Sequence, residues 1–117
     1  MKFWKIISIS ALIFTSTVSA TSAGDIALGK IIGIKHYDLS NAKLIKLYLN
    51  LSDIRNSDCV ERDMAYATIT SSKHDEASMS RMLSMALSAH MAEKSVRLFS
   101  ESKTCEIDLI GIQSVYY

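Results

Sequence analysis

The residues able to do covalent, metal or acid–base chemistry in this sequence are two cysteines, three histidines and scattered acidic side chains. Cys59 and Cys105 could form a disulfide, act as reactive thiols or bind a metal. Thiol reactivity and metal binding usually rest on a Cys-x-x-Cys spacing or a nearby histidine, and neither occurs here. The spacing alone therefore favours the disulfide.

The three histidines offer no metal site. His36 and His74 have no acidic or thiol partner at ligand spacing, so we expect no metal and no cofactor. His90 lies on the apolar side of a predicted helix, where it is either a core histidine bonded to backbone groups or a pH-sensitive interface residue.

Enzyme motifs are also missing from the sequence. It has no GxSxG serine, no glycine-rich phosphate loop and no HExxH pair, and nothing singles out two acidic residues as a general acid and base. We therefore expect a protein that is not an enzyme. A small hydrolase without a recognisable motif is the alternative.

The N-terminus predicts a secretory signal peptide over residues 1–20. Lys2 and Lys5 precede an apolar run, and a small-x-small pattern ends at Ala20, the favoured cleavage site, with Ala23 as the alternative. The apolar run is well short of the ~20 residues that a membrane-spanning helix needs. We expect a periplasmic or secreted protein without a membrane span after cleavage.

Cleavage changes the charge and supports the disulfide. Removal of Lys2 and Lys5 leaves 11 basic against 12 acidic residues, a formal charge of −1 in place of +1. A near-neutral domain without a basic cluster is a poor nucleic-acid binder. In an oxidising compartment, a disulfide between Cys59 and Cys105 is the expected state of an even cysteine pair.

The hydrophobic periodicity predicts one domain over residues 21–117 with the order β-β-β-α-β-β. The predicted strands are residues 26–35, 43–51, 64–70, 95–100 and 105–117, and the helix begins with a capping box of Ser72 and Asp75 and ends at Glu93 and Lys94. The interpretation is an α+β, mainly β fold. It predicts a five-stranded barrel of the oligonucleotide and oligosaccharide binding type, with one helix between strands three and four; a sandwich with a helix across one sheet is the alternative.

The predicted helix is apolar over more than half of its circumference, and serines occupy much of the remainder. A surface helix of a small domain buries one apolar stripe against the core, so the remaining apolar surface indicates that a second neighbour covers it. We predict an oligomer interface at Ser80, Ser84, Met85 and Ser88. The alternative is a solvated polar face.

One turn has the composition of a sugar site. A glycan pocket needs a rigid aromatic ring beside polar side chains, and the best local match is Tyr37 with Asp38 and Asn41. Aromatic residues of strands more often pack across a sheet, which is the alternative for Tyr37.

Residues 81–115 resemble the helix-and-hairpin end of small exported proteins related to the subtilase cytotoxin B subunit. The similarity consists of a Leu- and Ala-rich helix, a V-x-L strand, a cysteine and an I-x-G-I strand. The matching residues are Met82, Leu83, Ala86, Ala89, Val96, Leu98, Cys105, Ile110, Gly111 and Ile112. The resemblance implies an enterotoxin B-subunit barrel, often a ring of five, with glycan pockets in the true toxins. No segment matches the sugar-contacting loops of that family.

These features together predict a non-enzymatic, exported binding module that forms a homo-oligomer, a pentamer if it follows the family it resembles. Its ligand would be a glycan or a partner exported protein. The alternative is a structural or housekeeping periplasmic protein that binds no sugar.

Overall fold

The computed structural model describes residues 23–50 and 53–117. The predicted signal peptide and the cleavage site after Ala20 lie outside these residues. The elements are β1 (Asp25–Leu39), β2 (Ala42–Leu49), β3 (Val60–Glu61), β4 (Met64–Thr70), α1 (Glu76–Met91), β5 (Ser95–Phe99) and β6 (Leu109–Ile112). The strands form one antiparallel sheet in the order β3-β4-β2-β1-β5-β6. The α+β, mainly β class is confirmed, and β3 is a short addition in a segment predicted to be loop.

The hairpin of β1 and β2 is longer than predicted. The turn expected between the predicted strands 26–35 and 43–51 shrinks to Ser40 and Asn41, because Leu39 already pairs with Ala42. Two residues are enough to close a hairpin, so the flanking residues stay in the ladder. The register of β1 against β2 shifts between Ile31 and Gly33, a bulge beside a glycine.

Helix α1 begins three residues later than predicted. Ser72 lies in a turn in which the Thr70 carbonyl accepts from the N–H groups of Lys73 and His74. The N-cap is Asp75, whose Oδ1 accepts from the backbone N–H of Ser78 at 2.7 Å. The carboxylate gives the first turn both a hydrogen-bond acceptor and a favourable charge, which explains its use as the cap.

The predicted last strand, residues 105–117, is wrong as a single element. Its beginning runs parallel to β4: Thr68 N–H donates to the Cys105 carbonyl at 2.8 Å, and Ile107 N–H donates to the Thr68 carbonyl at 2.9 Å. Only Leu109–Ile112 then pairs with β5. One segment therefore contacts β4 and β5, which stand far apart in the strand order.

The predicted disulfide is confirmed. Cys59 and Cys105 are bonded with an S–S distance of 2.08 Å and a Cα–Cα distance of 5.5 Å. The bond ties the chain just before β3 to the segment beside β4.

The core lies between one face of the sheet and α1. On the core face, alternation buries three residues of β2 and three of β4, and the helix contributes its two smallest inward residues. These buried residues are Ile45, Leu47, Leu49, Ala65, Ala67, Ile69, Ala86 and Ala89. Tyr48 of β2 is also buried, on the opposite face of the sheet. Within the described ranges, no helix is long and apolar enough to cross a membrane.

Candidate binding site

The residues predicted for glycan binding lie at the tip of the β1–β2 hairpin. Tyr37 is half-buried, Asp38 is exposed and Asn41 is exposed in the turn. Asp38 forms an ion pair with the exposed side chain of Lys43. Consecutive strand residues point to opposite faces, so Tyr37 and Asp38 do not converge on one surface. Tyr37 belongs instead to the sheet face that points away from the core.

This outer face carries rows of cross-strand neighbours. Gly33 of β1 pairs with Tyr48 of β2, which pairs with Tyr66 of β4. In the next row, Lys35 pairs with Lys46. Alternation therefore gathers tyrosines and lysines opposite the buried leucines and alanines. We call Lys35, Lys46, Tyr48, Glu61 and Tyr66 the outer cluster.

Lys46 is the centre of the outer cluster. Its ammonium lies 4.5 Å from the centroid of the Tyr66 ring and 5.5 Å from that of Tyr48, and it donates to Glu61 Oε2. The Tyr48 hydroxyl donates to Glu61 Oε1 at 3.3 Å. Ammonium, rings and carboxylate thus hold one another in place through cation–π contacts and charge-assisted bonds.

The ionisation of these groups follows from their contacts. The hydrogen bond from Lys46 lowers the pKa of Glu61. Burial acts to lower the pKa of Lys46, but its bond to Glu61 outweighs burial and the pKa is raised. Burial raises the pKa of Tyr48, which keeps its hydroxyl protonated and able to donate. At neutral pH Lys46 and Glu61 are therefore a charged pair beside the neutral phenol of Tyr48.

A cavity of about 210 Å³ opens beside the Tyr48 ring. It is lined by Ile32, Gly33, Lys35, Tyr48, Arg62 and Met64. A Cβ placed on Gly33 would lie 3.7 Å from the Tyr48 ring, so the absent side chain leaves open the space next to the ring. Tyr48 is only 4% exposed, so the cavity offers a ligand a small area of aromatic ring together with aliphatic contacts and two cations.

Sequence reasoning predicted the alternating strands but missed this cavity. Lys46 and Tyr48 were recognisable as the polar side of a half-buried strand, whereas Glu61 and Arg62 fell in a segment without periodicity. The two-residue strand β3 brings them beside β2 and β4. The turn between β3 and β4 is Arg62-Asp63, so it lacks the usual hairpin signal of Asn-Gly or Asp-Gly.

A second polar cluster lies near the disulfide. Lys73 Nζ lies 3.0 Å from Ser102 Oγ, 3.0 Å from Asp108 Oδ2 and 3.8 Å from Glu106 Oε2. A lysine can serve as the base for a serine nucleophile only when it is neutral. The Lys73 ammonium is instead paired with the carboxylates of Glu106 and Asp108, so this contact supports a structural role.

The predicted interface residues of α1 are all exposed; Ser80, Ser84 and Ser88 lie on the side away from Ala86 and Ala89, and Met85 lies beside Ala89 at the edge of the buried side. Two large apolar residues share their solvent-facing arc: Leu87, 42% exposed, and Met91, 81% exposed. Ser80, Ser84, Met85 and Ser88 lie between and beside them. We call these six residues the outer helix arc. His90 is exposed, and its Nδ1 lies 2.8 Å from the Ile31 carbonyl oxygen, a backbone partner of the predicted kind.

Comparisons with known proteins found no relative of this chain. No group of three or more His, Cys, Asp or Glu residues in the described chain could hold a metal ion. The likeness to subtilase cytotoxin B subunits stays a prediction from the sequence. Known protein families, curated proteins and solved structures give no match to this chain.

Proposed function

We propose that this chain is an exported, non-enzymatic binding module and that its ligand presents a sugar ring to the cavity beside Tyr48. The observation that carries the proposal is the cavity of about 210 Å³ on the outer face of the sheet, whose lining includes Gly33, Lys35 and Tyr48. A pyranose ring has apolar C–H faces and a rim of hydroxyls, so it fits an aromatic wall flanked by polar side chains.

The volume of the cavity suits a small ligand. At about 210 Å³ it is below the size usual for drug-sized ligands, and it matches one ring better than an extended chain. The rigid support of the ring favours binding, because Tyr48 is already fixed by Glu61 and by the neighbouring strands.

The fold is compatible with the barrel that the sequence predicted. We propose that the sheet curves into a small barrel of the oligonucleotide and oligosaccharide binding type. The supporting observation is the parallel pairing of Thr68 with the segment around Glu106, which joins β4 to the strand pair β5 and β6. Protection of the Thr68 and Ile107 amides against hydrogen exchange, equal to that of the β2 core amides, is the expected sign of closure.

Self-association through the outer helix arc belongs to the same proposal. Leu87 and Met91 expose apolar area beside small serines, a surface that a second copy of α1 could cover closely. The partner would be another copy of this chain.

The glycan proposal is tested by filling the cavity. Gly33→Val adds a β-branched side chain that suits a strand, and the Cβ position has ordinary van der Waals room. We expect the mature chain, residues 21–117, to bind members of a glycan array and to give saturation-transfer NMR signals with them. Gly33→Val should remove both signals while the far-UV circular dichroism is retained.

Asn41→Ala is the matched control, because it alters the hairpin tip and leaves the cavity intact. It should bind as the wild type does. Loss of binding in Asn41→Ala but not in Gly33→Val would move the site to the tip with Tyr37 and Asp38. A folded wild-type chain that binds no glycan would instead favour the structural or housekeeping alternative.

A further inference from the structure

The turn between β3 and β4 has an unusual backbone for its sequence. Glu61 pairs with Met64, so Arg62 and Asp63 are the two residues that close the hairpin. Their φ angles are 53° and 61°. Positive φ at both positions is typical of type I′ turns, in which Asn followed by Gly is preferred. Aspartate tolerates this region better than most residues, but arginine gains nothing from it and is strained there.

The strained residue is also a wall of the cavity. Arg62 lines the space beside Tyr48 together with Lys35. Backbone strain that persists in a folded protein is concentrated at functional sites, where another requirement outweighs it. A role that asparagine or glycine could not fill would account for arginine at this position, and its place in the cavity lining suggests one.

The charge of the cavity indicates what that role is. Lys46 already satisfies Glu61 by an ion pair. In the described part of the chain, no ion pair involves Lys35 or Arg62. Lys35, whose Nζ lies 5.4 Å from the centroid of the Tyr48 ring, and Arg62 thus border one small cavity. An oxyanion on a ring-shaped ligand would meet both, and the planar guanidinium can bind it with two parallel hydrogen bonds.

We infer that Arg62 is held in a strained turn because it binds, with Lys35, an oxyanion group of the ligand, so that the module selects rings that carry a carboxylate or a sulfate ester. This inference rests on the proposed function and narrows its ligand class. Arg62 then has two opposite effects: its side chain strengthens ligand binding, and its positive φ destabilises the turn between β3 and β4.

The test is a substitution that should improve the fold and harm binding. Arg62→Asn places a residue suited to positive φ in the turn and removes the guanidinium. We expect its melting temperature to rise by about 4 °C or more. Its affinity for glucuronate and for galactose 6-sulfate, measured by saturation-transfer NMR on the mature chain, should fall at least tenfold. Comparison of these two probes tells a carboxylate from a sulfate preference.

Asp63→Gly is the control at the neighbouring turn position. It relieves strain without removing Arg62, so its melting temperature should rise while its affinity stays within about threefold of wild type. Arg62→Lys keeps the charge and loses the planar fork, and an intermediate affinity is expected.

Three results would overturn the inference. They are equal affinity of Arg62→Asn and wild type, a lower melting temperature for Arg62→Asn, and equal binding of neutral galactose and the acidic probes. Binding of neutral sugars that Gly33→Val removes and Arg62→Asn does not would leave the proposed function intact and reject the oxyanion site alone. Absence of all sugar binding would reject both.

Discussion

Asp25 and Arg97 form a buried ion pair between β1 and β5. Asp25 Oδ1 accepts from Arg97 Nε at 2.8 Å and lies 2.7 Å from Nη2, and the aspartate side chain is fully buried. Arg97 Nη1 also donates to the Tyr117 carbonyl at 2.6 Å. The guanidinium therefore links the start of the sheet to residues that follow its last strand.

Removal of one partner of this pair should be costly. Asp25→Ala leaves the Arg97 guanidinium buried without its carboxylate, and we expect a loss of about 3–5 kcal/mol in the free energy of unfolding. Urea denaturation followed by circular dichroism measures it. The double variant Asp25→Leu with Arg97→Met buries no charge and should lose less than Asp25→Ala. A loss below about 1 kcal/mol in Asp25→Ala would show that the buried ion pair contributes little to the free energy of unfolding.

The disulfide should contribute much of the stability of this small domain. Cys59 and Cys105 are separated by 46 positions, and the chain-entropy account gives about 4 kcal/mol for a loop of this size. The Cys59→Ala, Cys105→Ala double variant should therefore unfold at much lower urea concentration. Reduction of the wild type should give a similar midpoint, and a reduced wild type as stable as the oxidised one would contradict the prediction.

The C-terminus of α1 offers a stabilising substitution. Glu93 has a φ of 55°, and the N–H groups of Glu93 and Lys94 donate to the carbonyls of His90 and Ala89, which is the Schellman pattern. Glycine is the preferred residue at this position because it has no Cβ to clash. Glu93→Gly should raise the free energy of unfolding by about 1 kcal/mol. Glu93→Ala, which keeps a Cβ, should not, and an equal gain in both variants would assign the effect to the lost charge.

Acid should weaken the contacts around Asp108. Burial acts to raise the pKa of this carboxyl, but hydrogen bonds from Lys73 and from the Glu101 N–H outweigh burial and lower the pKa. A carboxyl with a lowered pKa stabilises the fold above its unfolded pKa of about 3.9, and that contribution is lost as the pH falls through the folded value.

Asp108→Asn tests this pH dependence. At pH 7 we expect it to lose about 1–3 kcal/mol of the free energy of unfolding, and the difference from wild type should shrink as the pH falls below about 4. Asp58→Asn, at an exposed position, should have the free energy of unfolding of the wild type both at pH 7 and below about pH 4. A deficit in Asp108→Asn that is constant with pH would contradict the role of its charge.

Self-association should depend on the outer helix arc. We expect light scattering on the mature wild-type chain to give a mass above that of one copy. Leu87→Glu with Met91→Glu should yield monomers with an unchanged melting temperature, because both side chains are exposed in the single chain. Ser40→Glu in the hairpin turn adds charge elsewhere and should leave the mass unchanged. A wild-type monomer at micromolar and higher concentrations would refute the interface.

The sequence by itself determined the elements whose signal is local. The β-branched and aromatic residues of segment 64–70 predicted β4 with the bounds observed, because such residue types favour strands. The mainly β class and the disulfide also followed from pattern and cysteine number. The sequence predicted a helix start at Ser72 with Asp75 as its capping-box partner, whereas the turn after β4 leaves Asp75 itself as the N-cap.

Tertiary structure alone decided the features that depend on residues distant in sequence. Asp25 and Arg97 are separated by 72 positions, and each reads as an ordinary charged residue until β1 and β5 pair. The cavity beside Tyr48 likewise needs Gly33, Tyr48 and Arg62 from three segments. Periodicity reports which face of a strand is buried, whereas the neighbour across the sheet is set by the order of the strands and their register.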